Sequence, residues 1–240
     1  MKINFEMCIG CENCIPYCPM GAIEVKDEVV FINSDECVEC GVCLSSANCP
    51  VEAIYQDELE WPRVIRSQFS NPKKPHKSST KRHGRGTEEM KTNDVTGRFK
   101  RGEIGLGIEL GRPGVGVRLR EFEKFTVAYT KLGLELEKAN SAYALIQDPS
   151  TGKLPPEILD EKLMSIIVEV KFGPERLQEV LEETKKLAKD LDTVFSISII
   201  SKVEDNGFVP ILDMVKEAGF KPSVNCKTNV GLGRPLAEEV

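Results

Sequence analysis

Two stretches of the chain share one spacing: Cys8-Ile9-Gly10-Cys11-Glu12-Asn13-Cys14-Ile15-Pro16-Tyr17-Cys18-Pro19, and Cys37-Val38-Glu39-Cys40-Gly41-Val42-Cys43, which closes at Cys49-Pro50. Together they use eight of the nine cysteines in a chain of 240 residues. Two residues between successive thiolates let a tight turn wrap a cubane, with three sulfurs on three iron corners and a fourth supplied from further away. The spacing therefore predicts iron–sulfur clusters.

Zinc and disulfides are the chemical alternatives for these cysteines. Structural zinc sites usually pair two Cys-x-x-Cys knuckles around one metal and need no Cys-Pro closure. Disulfides belong to secreted chains. If clusters are bound, they could serve structure alone, but two clusters close together in one small module favour electron transfer.

The repeat continues beyond the cysteine runs, because Cys18-Pro19-Met20-Gly21-Ala22-Ile23 is echoed by Cys49-Pro50-Val51-Glu52-Ala53-Ile54. Residues 1–60 resemble the bacterial two-cluster ferredoxins, in which the cysteine before proline serves the other cluster. The resemblance implies two [4Fe–4S] clusters, one held by Cys8, Cys11, Cys14 and Cys49, the other by Cys37, Cys40, Cys43 and Cys18. The second copy departs from the family pattern, since five residues rather than three precede Cys49.

Charge divides the chain into three bands. Residues 1–60 carry two lysines and twelve acids, for a net charge of −10; residues 61–101 carry +9 and residues 102–240 carry −5. These bands predict a ferredoxin domain over 1–60, a basic linker over 61–101 and a separate domain over 102–240. The acidic face of the first domain favours docking on a basic partner, although acids also simply solvate a small surface.

The linker is predicted to be extended, because residues 71–86 contain no apolar side chain that could build a core. It could fold back on the acidic domain, wrap a partner subunit or bind nucleic acid. The sequence disfavours nucleic-acid binding, because no aromatic residue interleaves the charges of residues 71–86. Both histidines, His76 and His83, fall here and are expected to be solvated.

The third region reads as alternating strands and helices. Alternation predicts a strand over 104–110 with one apolar face and one nearly bare face that another group can approach closely. A helix after residue 118, a strand near 143–147 and a strand–helix–strand unit over 166–203 follow. This order predicts an α+β sandwich of the ferredoxin-like type, completed by a helix near 209–218 and a strand over 224–230 with a buried Cys226 thiol.

A glycine-rich loop, Gly111-Arg112-Pro113-Gly114-Val115-Gly116, joins a strand to a helix, where backbone N–H groups bind anions. We expect a candidate anion or cofactor site there, formed by Gly111, Arg112, Gly114, Gly116 and Arg118. The triplet recurs at Gly233-Arg234-Pro235, so the two loops could frame one site or one interface. A plain structural turn is the alternative, because the third glycine of the dinucleotide fingerprint and a Walker lysine are both missing.

These patterns predict a cytoplasmic electron-transfer protein of an anaerobe, without a leader or a membrane span. We expect a non-catalytic, electron-donating subunit of an oxidoreductase complex, whose partner is a redox protein or catalytic subunit. Homo- or hetero-oligomers through residues 61–240 are an open possibility. The alternatives are a ligand-binding enzyme or sensor that takes an anionic small molecule at the Gly-Arg-Pro loops, and an assembly subunit.

Overall fold

Two short antiparallel strand pairs frame the N-terminal region. The computed structural model describes residues 1–74, 97–100, 102–201 and 203–223. In it, β1 (Lys2–Ile3) pairs with β4 (Ile54–Tyr55), and β2 (Ile23–Lys26) pairs with β3 (Val29–Ile32). The buried cluster inside this frame is small and includes cysteines: Met1, Ile3, Ala22, Ile23, Val30, Cys37, Cys43, Ala47, Ala53 and Ile54.

The two cysteine runs have the same backbone conformation. Residues on either side of the second cysteine are left-handed in both copies, with φ of 68° and 60° at Gly10 and Glu12, and 55° and 72° at Glu39 and Gly41. The copies differ in the next segment, which is a 3-10 helix at Ile15–Tyr17 in the first and the helix α1 (Val42–Ser46) in the second. The two extra residues before Cys49 are therefore absorbed as one turn of α-helix.

Residues 64–70 depart from the extended linker expected over 61–101. They form the helix α2 (Val64–Ser70), and Ile65 and Phe69 on its inner face are buried in the same apolar cluster as the C-terminal sheet. The physical reason is their spacing: apolar residues four apart lie on one face of a helix and can be buried together. The basic stretch that lacks apolar residues lies mostly outside the described residues, as do His76 and His83.

The C-terminal region is built on a four-stranded sheet in the order β10-β5-β9-β7, with every neighbouring pair antiparallel. Its strands are β5 (Ile104–Leu110), β7 (Glu135–Leu136), β9 (Ile166–Phe172) and β10 (Phe195–Ile200). A separate ribbon pairs β6 (Val117–Arg118) with β8 (Lys162–Leu163). The mixture of helices and strands expected for this region is confirmed.

Within the described part of residues 102–240, three α-helices accompany that sheet: α3 (Leu119–Lys131), α4 (Leu177–Ala188) and α5 (Ile211–Glu217). Apolar side chains of α3 and α4 share one buried cluster with the alternate residues 104, 106, 108 and 110 of β5. On the opposite face of β5, the Phe99 ring lies so close to Gly105 that a Cβ at Gly105 would come within 2.6 Å of it. The close approach expected at the bare face is thus made by a side chain of the chain itself.

One predicted strand is a helix instead. Residues 141–145 form a 3-10 helix, and the side chain of Asn140 accepts a hydrogen bond from the Ala142 N–H at its start. The Asn140 side chain thereby satisfies a backbone N–H at the start of the 3-10 helix. The alternation of apolar and polar residues in this segment does not indicate that hydrogen bond. The strand predicted over 224–230, Cys226 and the loop at Gly233-Arg234-Pro235 lie outside the described residues.

No helix within the described ranges has both the length and the apolar content needed to cross a bilayer.

Candidate metal centre

Four cysteines from both halves of the N-terminal region surround one cavity. Cys18, Cys37, Cys40 and Cys43 line it together with Met1, Pro19, Met20, Ala22, Ile23, Ile32 and Val38. Cys37 and Cys43 are buried, whereas Cys18 and Cys40 are half-buried. The walls other than sulfur are almost entirely apolar side chains, so this cavity shields what it holds from water.

The other four cysteines surround a second cavity. Cys8, Cys11, Cys14 and Cys49 line it, with Ile3, Ile9, Glu12, Asn13, Val30, Val51, Ala53 and Ile54. Cys11 is exposed at its rim, and the other three thiols are half-buried. Despite its longer loop, Cys49 reaches the cysteines of the first run. Each cavity is thus lined by three cysteines of one run and by the Cys-Pro cysteine of the other.

Backbone amides donate to a sulfur at equivalent places in both halves. The N–H of Ala22 donates to Cys18 Sγ at 3.2 Å, and the N–H of Ala53 donates to Cys49 Sγ at 3.4 Å. Both amides lie four residues after their cysteine, in the repeated Cys-Pro-x-x-Ala segment. Such N–H groups stabilise negative charge on sulfur, which is one of the ways in which a protein tunes an iron–sulfur cluster.

Burial makes the thiolate form of these cysteines costly when no cation is present. It raises the pKa of the Cys43 thiol to about 12, and it raises the pKa of Cys37, Cys40 and Cys14 as well. Nearby thiolates add to the effect at Cys43. A metal centre that binds thiolates here must therefore displace protons and supply the positive charge that the apolar walls lack.

The arrangement of the sulfur donors fits a multi-atom cluster better than a single zinc ion. Each cavity is lined by three cysteines of one Cys-x-x-Cys-x-x-Cys run and by a fourth from the distant Cys-Pro segment, which is the ligand pattern of a two-cluster ferredoxin. Within the described ranges, no group of cysteine, histidine or acidic side chains is arranged to hold a single metal ion.

Comparison with known proteins agrees with this geometry. The family described as the 4Fe-4S dicluster domain matches residues 7–53. A 7Fe ferredoxin of Hydrogenibacillus schlegelii is 37% identical over 65 residues, which are 25% of this chain and 81% of that protein. The chain belongs to the ferredoxin family. All of this similarity lies in the N-terminal part, and two [4Fe–4S] clusters are its cofactors.

Two further relatives of the ferredoxin domain carry the names of oxidoreductase subunits. Pyruvate synthase subunit PorD of Methanothermobacter marburgensis is 43% identical over 55 residues, which are 23% of this chain and 62% of PorD. A subunit of the ion-translocating oxidoreductase complex of Methanosarcina acetivorans is 45% identical over 47 residues, 20% of this chain and 17% of that protein. No solved structure matches the chain.

The ferredoxin domain meets the rest of the chain beside Cys37. The guanidinium of Arg66, from α2, is buried and donates to the carbonyl oxygens of Ser34, Asp35 and Cys37 at 3.2, 2.8 and 2.9 Å. It also pairs with Glu161 at 2.5 Å. One buried side chain therefore joins the ferredoxin domain, α2 and the segment before β8.

A second arginine, at the N-terminal end of α2, makes a similar link. Arg63 Nη2 lies 2.6 Å from Glu39 Oε1, and the Glu39 carboxylate also contacts the amino group of Met1. Glu39 is only 1% exposed. Its carboxylate is therefore a buried charge that two cations compensate, which is the condition for keeping a charge out of water.

The predicted anion loop packs against the ferredoxin domain. A Cβ at Gly114 would lie 3.5 Å from the Pro19 carbonyl oxygen, and a Cβ at Gly116 would lie 2.7 Å from Met20 Cε. Arg112 Nε pairs with Glu109 at 3.2 Å, and Arg118 Nη2 pairs with Asp35 at 2.8 Å. Four of the five predicted residues thus lie on one loop and the fifth, Arg118, lies on β6 directly after it, and the two arginines face carboxylates. Binding of an external anion there stays a prediction.

Sequence reasoning missed the residues that hold the two regions together: Asp35, Glu36, Arg63, Arg66, Glu161 and Lys162. One signal was available for α2, because Ile65 and Phe69 have helical spacing directly before the basic stretch. The acid–base pairs themselves join residues that are far apart in sequence, so no local pattern marks them.

Proposed function

We propose that this chain is the electron-donating, ferredoxin-type subunit of an oxidoreductase complex, and that it relays single electrons through its two clusters. One observation carries the proposal: two four-cysteine cavities share one buried cluster within one small domain, and one cavity has an exposed cysteine, Cys11, whereas the cysteines of the other are buried or half-buried. Two redox centres in one small domain, one of them accessible from the surface, are typical of a protein that transfers electrons. The chain itself is proposed to be non-catalytic and cytoplasmic.

The ligand assignment follows from the cavities as part of this proposal. Cys8, Cys11, Cys14 and Cys49 would hold the outer cluster, and Cys37, Cys40, Cys43 and Cys18 the inner one. When bound, each cluster supplies one-electron redox chemistry. The chain's own residues orient the cluster, exclude water from the inner one and donate the amide N–H of Ala22 and Ala53 to sulfur.

The outer cluster is where we propose that an external redox partner docks. Phe5 and Ile9 flank Cys8 in the sequence and are 62% and 64% exposed, and Met7 is also exposed. The domain carries a net charge of −10. An apolar spot with an acidic rim fits a partner surface with an apolar centre and Lys or Arg around it, and opposite charges speed the encounter.

The body, residues 102–240, is proposed to be an α+β sandwich of the ferredoxin-like type that binds the complex's other subunits. The order β5-α3-β7-β9-α4-β10, with the sheet order β10-β5-β9-β7, supports that topology. The names of PorD and of the Methanosarcina acetivorans relative support membership of an oxidoreductase complex, because each is named as a subunit rather than as a free carrier. Residues 71–101 would then serve as the basic linker.

The proposal is tested by anaerobic isolation of the complex that contains this chain. The complex should contain about eight iron atoms per copy of the chain in excess of the partner's own metals, since two [4Fe–4S] clusters are bound. Its turnover with a one-electron donor should fall severalfold when Cys11→Ser disturbs the outer cluster. Full turnover by a complex whose chain has lost both clusters would leave them a structural role only and would refute electron relay.

A further inference from the structure

Two groups of acids in the ferredoxin domain lie near the cavities, and the first lies beside the inner cavity, which is the one lined by Cys18, Cys37, Cys40 and Cys43. Asp35 and Glu36 directly precede Cys37. Arg118 Nη2 lies 2.8 Å from Asp35 and 3.3 Å from Glu36, and Lys162 pairs with the other carboxylate oxygen of Glu36. Two cations from the body thus face the two acids that directly precede Cys37, while Glu39, which directly precedes Cys40, is paired with Arg63 and the amino group of Met1.

The two cations are held as a unit by the β6–β8 ribbon. Arg118 and Lys162 are directly opposite each other in its antiparallel register. Arg118 also donates to the carbonyl oxygen of Asp160 at 2.8 Å, which fixes its guanidinium. Lys162 is only 13% exposed. We call Arg118 and Lys162 the ribbon clamp.

The second group of acids lies around the outer cavity and has no such compensation. Glu12 lines that cavity, Glu6 lies two residues before Cys8, and Glu52 lies three residues after Cys49. Within the described ranges, none of these three carboxylates forms an ion pair. The two cavities therefore share a cysteine arrangement but differ in local charge.

Reduction adds one electron, and hence one negative charge, to a centre already made negative by four thiolates. Cations nearby favour the reduced form and raise the reduction potential, whereas unpaired carboxylates lower it. We propose that the ribbon clamp raises the potential of the inner cluster and leaves that of the outer cluster unchanged. The inference rests on the proposed ligand assignment, and it gives the body a direct influence on one of the two clusters.

Burial acts in the opposite direction, because an apolar surrounding disfavours the extra charge of the reduced cluster. The same low dielectric strengthens each charge–charge interaction that reaches the cluster. The ribbon clamp therefore offsets part of the decrease in reduction potential that the apolar walls of the inner cavity cause. By linkage, an electron on the inner cluster should in turn strengthen the contact between the ferredoxin domain and the ribbon.

The test is an anaerobic redox titration of the full chain with both clusters bound, reduced by dithionite and followed by EPR. In R118Q/K162Q, the equilibrium constant for reduction of one cluster should fall by at least about tenfold, as expected for the loss of two charges that each act over roughly 10 Å at an effective dielectric of about 40. The other cluster should keep its midpoint. K186Q/K216Q, which removes two exposed lysines of α4 and α5, is the matched control and should shift neither.

A mirror variant identifies which cluster responds. Glu12→Gln removes an unpaired acid at the outer cavity and should raise the midpoint of the transition that R118Q/K162Q leaves alone. If the double variant assembles no clusters, K162Q alone should give part of the shift and R118K, which keeps the charge, should give none. Unchanged midpoints in K162Q and R118Q/K162Q, or a shift of the same transition by Glu12→Gln and by the clamp variants, would overturn the inference.

This measurement is independent of the proposed function. Midpoints are equilibrium properties of the isolated chain and need no partner, so a clamp effect can be found even if the chain proves not to relay electrons within a complex. Conversely, a chain that sustains turnover but shows no clamp effect would keep its function and lose only the inference.

Discussion

The two cysteine runs have matching backbones and different surroundings. In both, the residues flanking the second cysteine are left-handed, and an amide four residues after the Cys-Pro cysteine donates to its sulfur. The cavity of the first run has an exposed cysteine and unpaired acids, whereas residues that line or flank the cavity of the second run contact α2, the glycine-rich loop and the β6–β8 ribbon. An internal repeat thus supplies two equal sites, and the body makes them unequal.

Removal of both clusters should have the largest effect on stability and should destabilise both cysteine runs. The N-terminal core is small and counts Cys37 and Cys43 among its buried residues, so binding of metal and folding should be coupled. We expect residues 1–60 to lose protection in hydrogen exchange after chelation, while β5 and β9 keep theirs. Equal protection of residues 1–60 with and without iron would show that this domain folds by its own core.

Arg66→Met should have the next largest effect on the free energy of unfolding. It should weaken the contact between α2 and the second cysteine run and leave the first run unaffected. The substitution leaves Glu161 and three carbonyl oxygens without their buried donor, and loss of one partner of a buried pair costs about 3–5 kcal/mol of unfolding free energy. Anaerobic guanidinium unfolding, followed by cluster absorbance, measures it.

Arg120→Met is the control for that measurement. Arg120 also pairs with an acid, Asp160, but their side chains are 51% and 74% exposed. An exposed pair contributes about 0–1 kcal/mol, so this variant should unfold close to the wild type. Equal losses for both variants would mean that burial of Arg66 is not what stabilises the contact.

Substitutions at the matched left-handed positions Gly41 and Glu12 should have the smallest effect on the free energy of unfolding. A Cβ at Gly41 would lie 3.0 Å from Asn71 Nδ2, next to α2, and φ there is 72°. Gly41→Ala should therefore cost about 1–2 kcal/mol. Glu12→Gly, at the equivalent position facing no body residue, should be neutral or stabilise by up to about 1 kcal/mol. The same unfolding assay compares them, and equal losses would show that left-handed backbone strain does not set the cost of a side chain at these positions.

Much of the fold was predictable where the pattern is local. The strand over 104–110, the strand at 166–172, the helix after residue 174 and the following strand lie where apolar periodicity and the Gly-Pro start indicate. α2 was missed because its short apolar pattern is followed at once by a long basic stretch. The strand expected at 143–147 was wrong because Asn140 caps a 3-10 turn there.

The sequence by itself determined the cluster chemistry, because two residues between successive thiols is a property of a few adjacent residues and needs no knowledge of the rest of the chain. Only the tertiary structure decided which of the two sites the body covers and which acids are neutralised. Those contacts join Arg118 to Asp35 across 83 residues and Lys162 to Glu36 across 126. Charges so far apart in sequence become neighbours only when the β6–β8 ribbon packs against the domain, and no local pattern encodes that arrangement.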